Sequence, residues 1–321
     1  MLEREIETAK RAVTLASAVC AKVQGSLDLG RLDKADKSPV TVADFAAQAM
    51  VARALAEAFP DDALVAEEGS AQLRDRDKCA LLERVAGLCD TTMEDALEWI
   101  AGGEDKPARR FWTLDPIDGT KGFLRGEQYA VALGLILDGE VVLGVLGCPN
   151  LPLAGAEACE PGGGTLLWAV RGGEPQQAAL GSAAAQVIRV SDHRAAADWR
   201  ACESVEAAHS RHDVAAELSA KLGVGGSVRV DSQVKYALVA RGDAEIYWRL
   251  PTRPGYEEKI WDHAAGSLIV QAAGGRVTDV HGRPLDFSHG RTLSANRGVL
   301  ATHGPPHDAL VAETTRRFAG T

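Results

Sequence analysis

The sequence predicts an α/β protein built as layers of helix and sheet, and two observations carry that prediction. In the first half, two apolar runs, Tyr129–Leu137 and Glu140–Cys148, are joined by Asp138-Gly139. Asp-Gly between alternating strands is a strong hairpin signal, so this half contains antiparallel sheet. In the second half, short apolar strands at 187–190, 202–205, 228–230 and 244–248 alternate with helical stretches near 211–222, 232–241 and 262–273. Such alternation favours an α/β layer architecture.

The elements follow in order. Residues 1–22 have Leu2, Ile6, Val13, Ala16 and Cys20 near one face, as an amphipathic helix requires. Ser38-Pro39-Val40-Thr41 is a break, and a second helix is predicted from Thr41 to Phe59, with Pro60 after its end. Asp61-Asp62 makes a turn, and Ala63–Ala66 is a short strand that delivers Glu67 and Glu68 to its end. Residues 71–110 are charged and weakly patterned, and predict one helix and an exposed loop. Phe111-Trp112-Thr113-Leu114 predicts a buried strand, and Gly162-Gly163-Gly164 and Gly172-Gly173 flank another at Thr165–Val170. A soft boundary near 180 separates an N-terminal α+β part, 1–180, from a C-terminal α/β part, 181–321. No repeat or low-complexity linker divides them, so a rigid shared interface is expected.

Composition narrows the function. The chain has 321 residues, 46% of them hydrophobic, enough for a substantial core. A net charge of −10 argues against a general nucleic-acid-binding surface. A local basic pocket for a small anion remains compatible with it. Six cysteines are scattered without a CxxC pair, which makes zinc improbable and fits reduced thiols of a cytoplasmic protein. The charged residues between Met1 and Ala21 interrupt any secretory apolar region, and no run of about 18 apolar residues predicts a membrane span. The sequence leaves the oligomeric state open, and a monomer is compatible with it.

The most informative stretch is Leu114-Asp115-Pro116-Ile117-Asp118-Gly119-Thr120. It holds two carboxylates three residues apart in a turn stiffened by proline and glycine, at the end of a strand. Hard divalent cations such as Mg²⁺ take oxygen ligands and share themselves with substrate phosphates. Two such ions can clamp the attacking and leaving oxygens of a phosphoryl transfer, and several carboxylates are needed to collect them. Asp115, Asp118 and the Ile117 carbonyl supply ligands here, and Glu67 and Asp262 are the remote carboxylates able to complete the set. Taken singly, Glu67-Glu68 fits a solvated turn and Asp262 fits a helix N-cap. The Gly119 and Thr120 amides make an anion cradle. A second set, His209, Ser232, Lys235 and Arg249, offers anion recognition, with Ser232 and Lys235 expected on one face of a helix's first turn.

These residues resemble a known family. Trp112–Val131, WTLDPIDGTKGFLRGEQYAV, is similar to the signature of the lithium-sensitive, Mg²⁺-dependent phosphatases related to inositol monophosphatase. SPVTVADFAAQ (38–48), FPDDALVAEEGS (59–70), DSQVKY (231–236), EKIWDHAAGSLIVQAAGG (258–275) and PLDFSHGRTLSAN (284–296) resemble its 3′(2′),5′-bisphosphate nucleotidase subgroup. The resemblance implies an α/β/α/β/α sandwich of the inositol monophosphatase and fructose-1,6-bisphosphatase type. It implies two or three Mg²⁺ ions on Glu67, Asp115, Ile117, Asp118 and Asp262. Asp44 and Thr120 then correspond to the pair that activates water. Gly119, Thr120, His209, Ser232, Lys235, Arg249 and Asp262 correspond to substrate contacts. The expected substrate is a small nucleotide bisphosphate, adenosine 3′,5′-bisphosphate or its sulfated analogue, with no nucleic-acid or membrane partner. An inositol polyphosphate 1-phosphatase or sugar bisphosphatase is the alternative in the same class, and a non-catalytic nucleotide sensor the alternative outside it. Two departures stand out: Ala66 replaces a frequent glycine, and 71–110, bordering the family's third metal site, matches weakly.

Overall fold

The Asp138-Gly139 hairpin forms as its dipeptide requires: both residues have positive φ, 52° and 80°, the backbone of a tight two-residue turn. The computed structural model of the protein describes residues 2–26, 31–33, 39–73, 79–104, 106–154, 163–205, 211–253 and 255–319. In chain order its elements are α1 (Glu3–Gln24), β1 (Arg31–Asp33), β2 (Pro39–Thr41), α2 (Val42–Ala58), β3 (Ala63–Ala66), α3 (Cys79–Cys89), α4 (Met93–Gly102), β4 (Arg110–Asp118), α5 (Thr120–Leu124), β5 (Ala130–Leu137), β6 (Glu140–Cys148), β7 (Thr165–Val170), β8 (Gln176–Ala179) and β9 (Gln186–Val187). The second half adds β10 (Arg200–Glu203), α6 (His212–Leu222), β11 (Gly226–Arg229), α7 (Val234–Ala240), β12 (Ile246–Arg249), α8 (Ala264–Ala272), β13 (Arg276–Thr278), β14 (Val299–Thr302) and α9 (His307–Arg317).

Two main sheets result. The larger has seven strands in the order β3-β4-β5-β6-β7-β8-β9, and all its neighbours run antiparallel except β3 and β4. The smaller has five strands in the order β11-β10-β12-β14-β13, parallel across β11-β10-β12 and antiparallel beyond.

Strand alternation distributes the apolar residues over three cores. Trp112, Leu114, Leu133 and Leu135 face α1, α2, α3 and α4. Phe111, Ala132 and Ile136 face the opposite way, onto α7 and α8, which also cover Cys202, Tyr247 and Ala301 of the smaller sheet. Ile246, Trp248 and Leu300 point outward onto α6 and α9. The layers are therefore α/β/α/β/α, as the resemblance implies. The central layer is tight. A Cβ on Gly144 of β6 would lie 2.7 Å from the Ala265 carbonyl oxygen, so glycine lets α8 rest on the sheet backbone.

Three expectations need correction. Residues 71–110 hold two helices, α3 and α4, where one helix and an exposed loop were predicted. Leu82, Val85, Ala96 and Ile100 bury themselves in the first core, and that tertiary burial outweighs the weak local pattern. Residues 187–190 do not form a strand of the second half. Gln186–Val187 is the edge strand of the larger sheet, and after it Ile188 and Val190 donate to the Pro175 and Ala273 carbonyls. The helix expected from residue 262 starts at Ala264, because Ile260–Asp262 closes a 3₁₀ turn first. Among the described residues, no helix is long and apolar enough to cross a membrane, and no disulfide is formed.

Candidate active site

The sheet end that carries the site follows from one strand pair. β3 and β4 are parallel, with Ala66 opposite Leu114, and the Glu67 N–H donates to the Leu114 carbonyl at 3.2 Å. Parallel strands end at the same edge, so Glu67 leaves the sheet beside Asp115. Between Asp115 and Asp118, β4 spends one more residue than β5. This bulge absorbs Pro116, which cannot donate to a ladder, and bends the strand end. The Asp115 carboxylate accepts from the Ile117 N–H at 3.1 Å, and the Thr120 hydroxyl donates to the Ile117 carbonyl at 3.3 Å. Gly119 then turns the chain with φ +89° into the short helix α5.

Asp118, Glu67 and Asp262 come from three distant segments and act on one another electrostatically. Burial raises the Asp118 carboxyl to about 6, against the pull of Lys235, Arg249 and the Gln233 N–H, with Glu67 adding to the rise. The Asp262 carboxyl is also pushed well up, by burial first and by Asp118, Glu67 and Glu258. Partly shielded from water, Asp118 and Asp262 resist ionising together. A cation held among them would reverse that, and their oxygens suit a hard divalent ion. The donor set therefore fits a metal.

Asp44 lies at the start of α2, fully buried. Its carboxylate accepts from the Thr41 N–H at 2.8 Å and the Thr41 hydroxyl at 2.6 Å, one half of a capping box. α5, which opens at Thr120, packs beside β2, the strand that leads into α2 and Asp44.

The cations lie on the second-half side. Lys235 is 4% exposed, with Nζ 3.3 Å from the Val230 carbonyl oxygen and 5.4 Å from the Tyr247 ring centroid. Burial lowers its pKa, while Asp118 and Asp231 oppose that fall. Arg249 makes a 2.7 Å ion pair with Glu258, and a second nitrogen stands 3.7 Å from Asp262. Burial works against its charge, but Glu258 and Asp262 more than offset that.

Two sequence expectations change here. Ser232 is outside the helix that Lys235 joins. It precedes α7 with φ +70°, in the left-handed region, so the pair does not share a first helical turn. The reason is local: the Ser232 hydroxyl accepts from the Val234 N–H, and the bend aims the Gln233 N–H at Asp118 at 2.6 Å. Asp262 does not cap α8. The residue in that place is His263, with no side-chain cap, and the 3₁₀ turn leaves the Asp262 carboxylate facing the other acids. His209 lies outside the described residues.

Sequence reasoning missed Gln233, Glu258 and Arg291. Glu258 is buried, holds Arg249, and stands 3.4 Å from His263, whose other ring nitrogen is 2.8 Å from the Tyr236 hydroxyl. All three lie inside the quoted motifs, which was the available signal. The partners of Gln233 and Arg291 are remote in sequence, so nothing local revealed those contacts.

The model of the inositol monophosphatase family matches residues 3–317. The chain is 43% identical to a 3′(2′),5′-bisphosphate nucleotidase of Emericella nidulans, covering 97% of both chains. It is 44% identical to a 3′(2′),5′-bisphosphate nucleotidase of Oryza sativa, covering 93% of this chain and 90% of the other. Among solved structures, an IMPase of Thermotoga maritima superposes with a TM-score of 0.68 at 21% identity, covering 97% of both chains. From the family match along nearly its whole length and these relatives, the chain belongs to the inositol monophosphatase family.

Proposed function

We propose that this protein is a Mg²⁺-dependent phosphatase that hydrolyses the 3′-phosphate of adenosine 3′,5′-bisphosphate to AMP and phosphate, and also accepts the sulfated analogue. One observation carries the reading: three mutually interacting carboxylates adjoin two cations, the buried Lys235 and the half-buried Arg249. Carboxylates serve a metal at the phosphate that is cut, and cations serve a phosphate that is kept. The names of the relatives support the same substrate class.

Glu67, Asp115, Asp118, Asp262 and the Ile117 carbonyl would hold two or three Mg²⁺ ions. When bound, such ions lower the pKa of a water and neutralise charge on phosphoryl and leaving oxygens. Thr120 and Asp44 orient the attacking water and take its proton. The water oxygen bonds to phosphorus, the bond from phosphorus to the ribose 3′-oxygen breaks, and that oxygen takes a proton from solvent and leaves as a hydroxyl. The Gly119 and Thr120 amides face the phosphoryl oxygens, where fixed donors stabilise developing charge. His209, Ser232, Lys235 and Arg249 contact the nucleotide and its 5′-phosphate.

Phosphate release with Mg²⁺ tests this. The panel is adenosine 3′,5′-bisphosphate, its sulfated analogue, inositol 1,4-bisphosphate, inositol 1-phosphate and fructose 1,6-bisphosphate. The nucleotides are expected to give the highest kcat/KM. A preference for inositol 1,4-bisphosphate would replace the nucleotide reading with the polyphosphate 1-phosphatase, and binding without release would leave a sensor.

A further inference from the structure

The three carboxylates that face one another sit on three separate turns, and the Trp261-Asp262 turn is fastened to the other two by residues that touch no reacting group. Gln233 makes one fastening. It is 2% exposed, its backbone N–H donates to Asp118 at 2.6 Å, and its side-chain amide donates to the Trp261 carbonyl at 2.9 Å. The amide oxygen accepts from the Gly266 N–H at 3.0 Å. One residue thus joins the Asp118 turn, the Asp262 turn and the start of α8. Arg291 makes the other. Its guanidinium donates to the Ala66 carbonyl at 2.5 Å, next to Glu67, and lies 4.8 Å from the Trp261 ring centroid. Its own carbonyl accepts from the Ile260 N–H, inside the same 3₁₀ turn.

We infer that Gln233 and Arg291 are positioning residues that lock Glu67, Asp118 and Asp262 into one divalent-cation site. The inference rests on the metal reading above. Its physical basis is cost. Like charges separated on three independent turns relax apart, and gathering them again would be charged to every binding event. Groups that hold metal ligands from outside typically change affinity 10–100-fold when removed. Gln233 suits this place because it has both a donor and an acceptor and adds no charge beside the acids. Arg291 suits it because a planar cation stacks on Trp261 while donating to a carbonyl.

The test uses the full chain and Mg²⁺ alone as the probe. Melting temperature is followed against Mg²⁺ concentration for wild type, Gln233→Met, Arg291→Met and the milder Arg291→Lys. In Gln233→Met and Arg291→Met the half-maximal Mg²⁺ concentration is expected to rise at least tenfold. At fixed sub-saturating Mg²⁺, kcat should fall tenfold or more with KM changed less than threefold, and added Mg²⁺ should recover part of the loss. Arg291→Lys, which keeps the cation over Trp261, should lie between wild type and Arg291→Met, and it is the variant read if Arg291→Met does not fold. Lower metal-free melting temperatures with unchanged Mg²⁺ midpoints would overturn the inference, leaving both residues merely structural. Absence of any Mg²⁺ shift in wild type would instead overturn the metal reading.

Discussion

Gly119 and Ser232 meet where the two halves of the chain close on each other, and both have left-handed backbone, with φ +89° and +70°. A Cβ on Gly119 would lie 2.9 Å from the Ser232 Cβ. The DPIDGT turn and the DSQVKY segment are thus fitted to one another with no room for a methyl group.

Gly119→Ala tests that fit. The left-handed backbone alone costs a non-glycine residue about 1–2 kcal/mol, and the clash adds to it. Urea unfolding should show a loss of about 2 kcal/mol or more. Phosphate release should fall more than tenfold, because relief of the clash moves Thr120 away from Ser232. Near-wild-type stability and turnover would show that the turn has slack.

Asp118→Asn separates the metal from the fold. Asn keeps an acceptor for the Gln233 N–H and removes the charge. The folded carboxyl has its pKa raised to about 6, so the ionised form burdens the metal-free fold above the ordinary carboxylate range. Metal-free Asp118→Asn should therefore equal or exceed wild type in stability at pH 8, by about 1–3 kcal/mol. A metal at 100 times its Kd stabilises by about 2.7 kcal/mol, and the variant should lose most of that gain along with activity. Thermal melts with and without Mg²⁺ check both halves. Undiminished turnover would remove Asp118 from the metal site.

Lys235→Ala should divide substrates by their phosphates. If the buried ammonium contacts the phosphate that is kept, KM for adenosine 3′,5′-bisphosphate should rise at least tenfold, on the order of a charge-assisted contact. For inositol 1-phosphate, which has no second phosphate, KM should change little. Equal changes would place the effect of Lys235 on Asp118 and the reacting centre.

His307 sets an acid limit away from the site. Its ring is fully buried, 3.0 Å from each of the Thr278 and Thr302 hydroxyls, and burial lowers its pKa to about 4, with Arg276 adding to the effect. The unfolded chain binds this proton near pH 6.5 and the folded chain only near pH 4. Between those values the unfolded state holds more protons, so stability falls as pH falls, and the contribution is fully present above about pH 6.5. His307→Gln should flatten the melting-temperature profile across that window relative to wild type. Parallel profiles would refute the assignment.

The local elements were legible in the residues because their causes are local. Asp138-Gly139 specifies its own turn, Ala63–Ala66 lies between Asp61-Asp62 and Glu67-Glu68, and Thr41 with Asp44 closes a capping box three residues apart. The α3–α4 pair was not legible, since Leu82 and Ile100 are apolar for a core that α1, α2 and the sheet supply. The 3₁₀ turn before α8 was hidden for a similar reason. Local pattern prefers a helix at Asp262, while Arg291 and Gln233, from elsewhere in the chain, grip Trp261.

By itself the sequence determined which groups exist for chemistry: the acids, the glycine turn, the cations and the family they resemble. These are properties of residue type and short spacing. Only the tertiary structure decided that Glu67, Asp118 and Asp262 act on each other, because parallel β3–β4 pairing and the left-handed bend at Ser232 join segments that no spacing relates. It also decided that Arg249 is held by Glu258 and that Gln233 and Arg291 tie the turns together. Electrostatic coupling and hydrogen bonding depend on distance in space, and folding alone sets that distance.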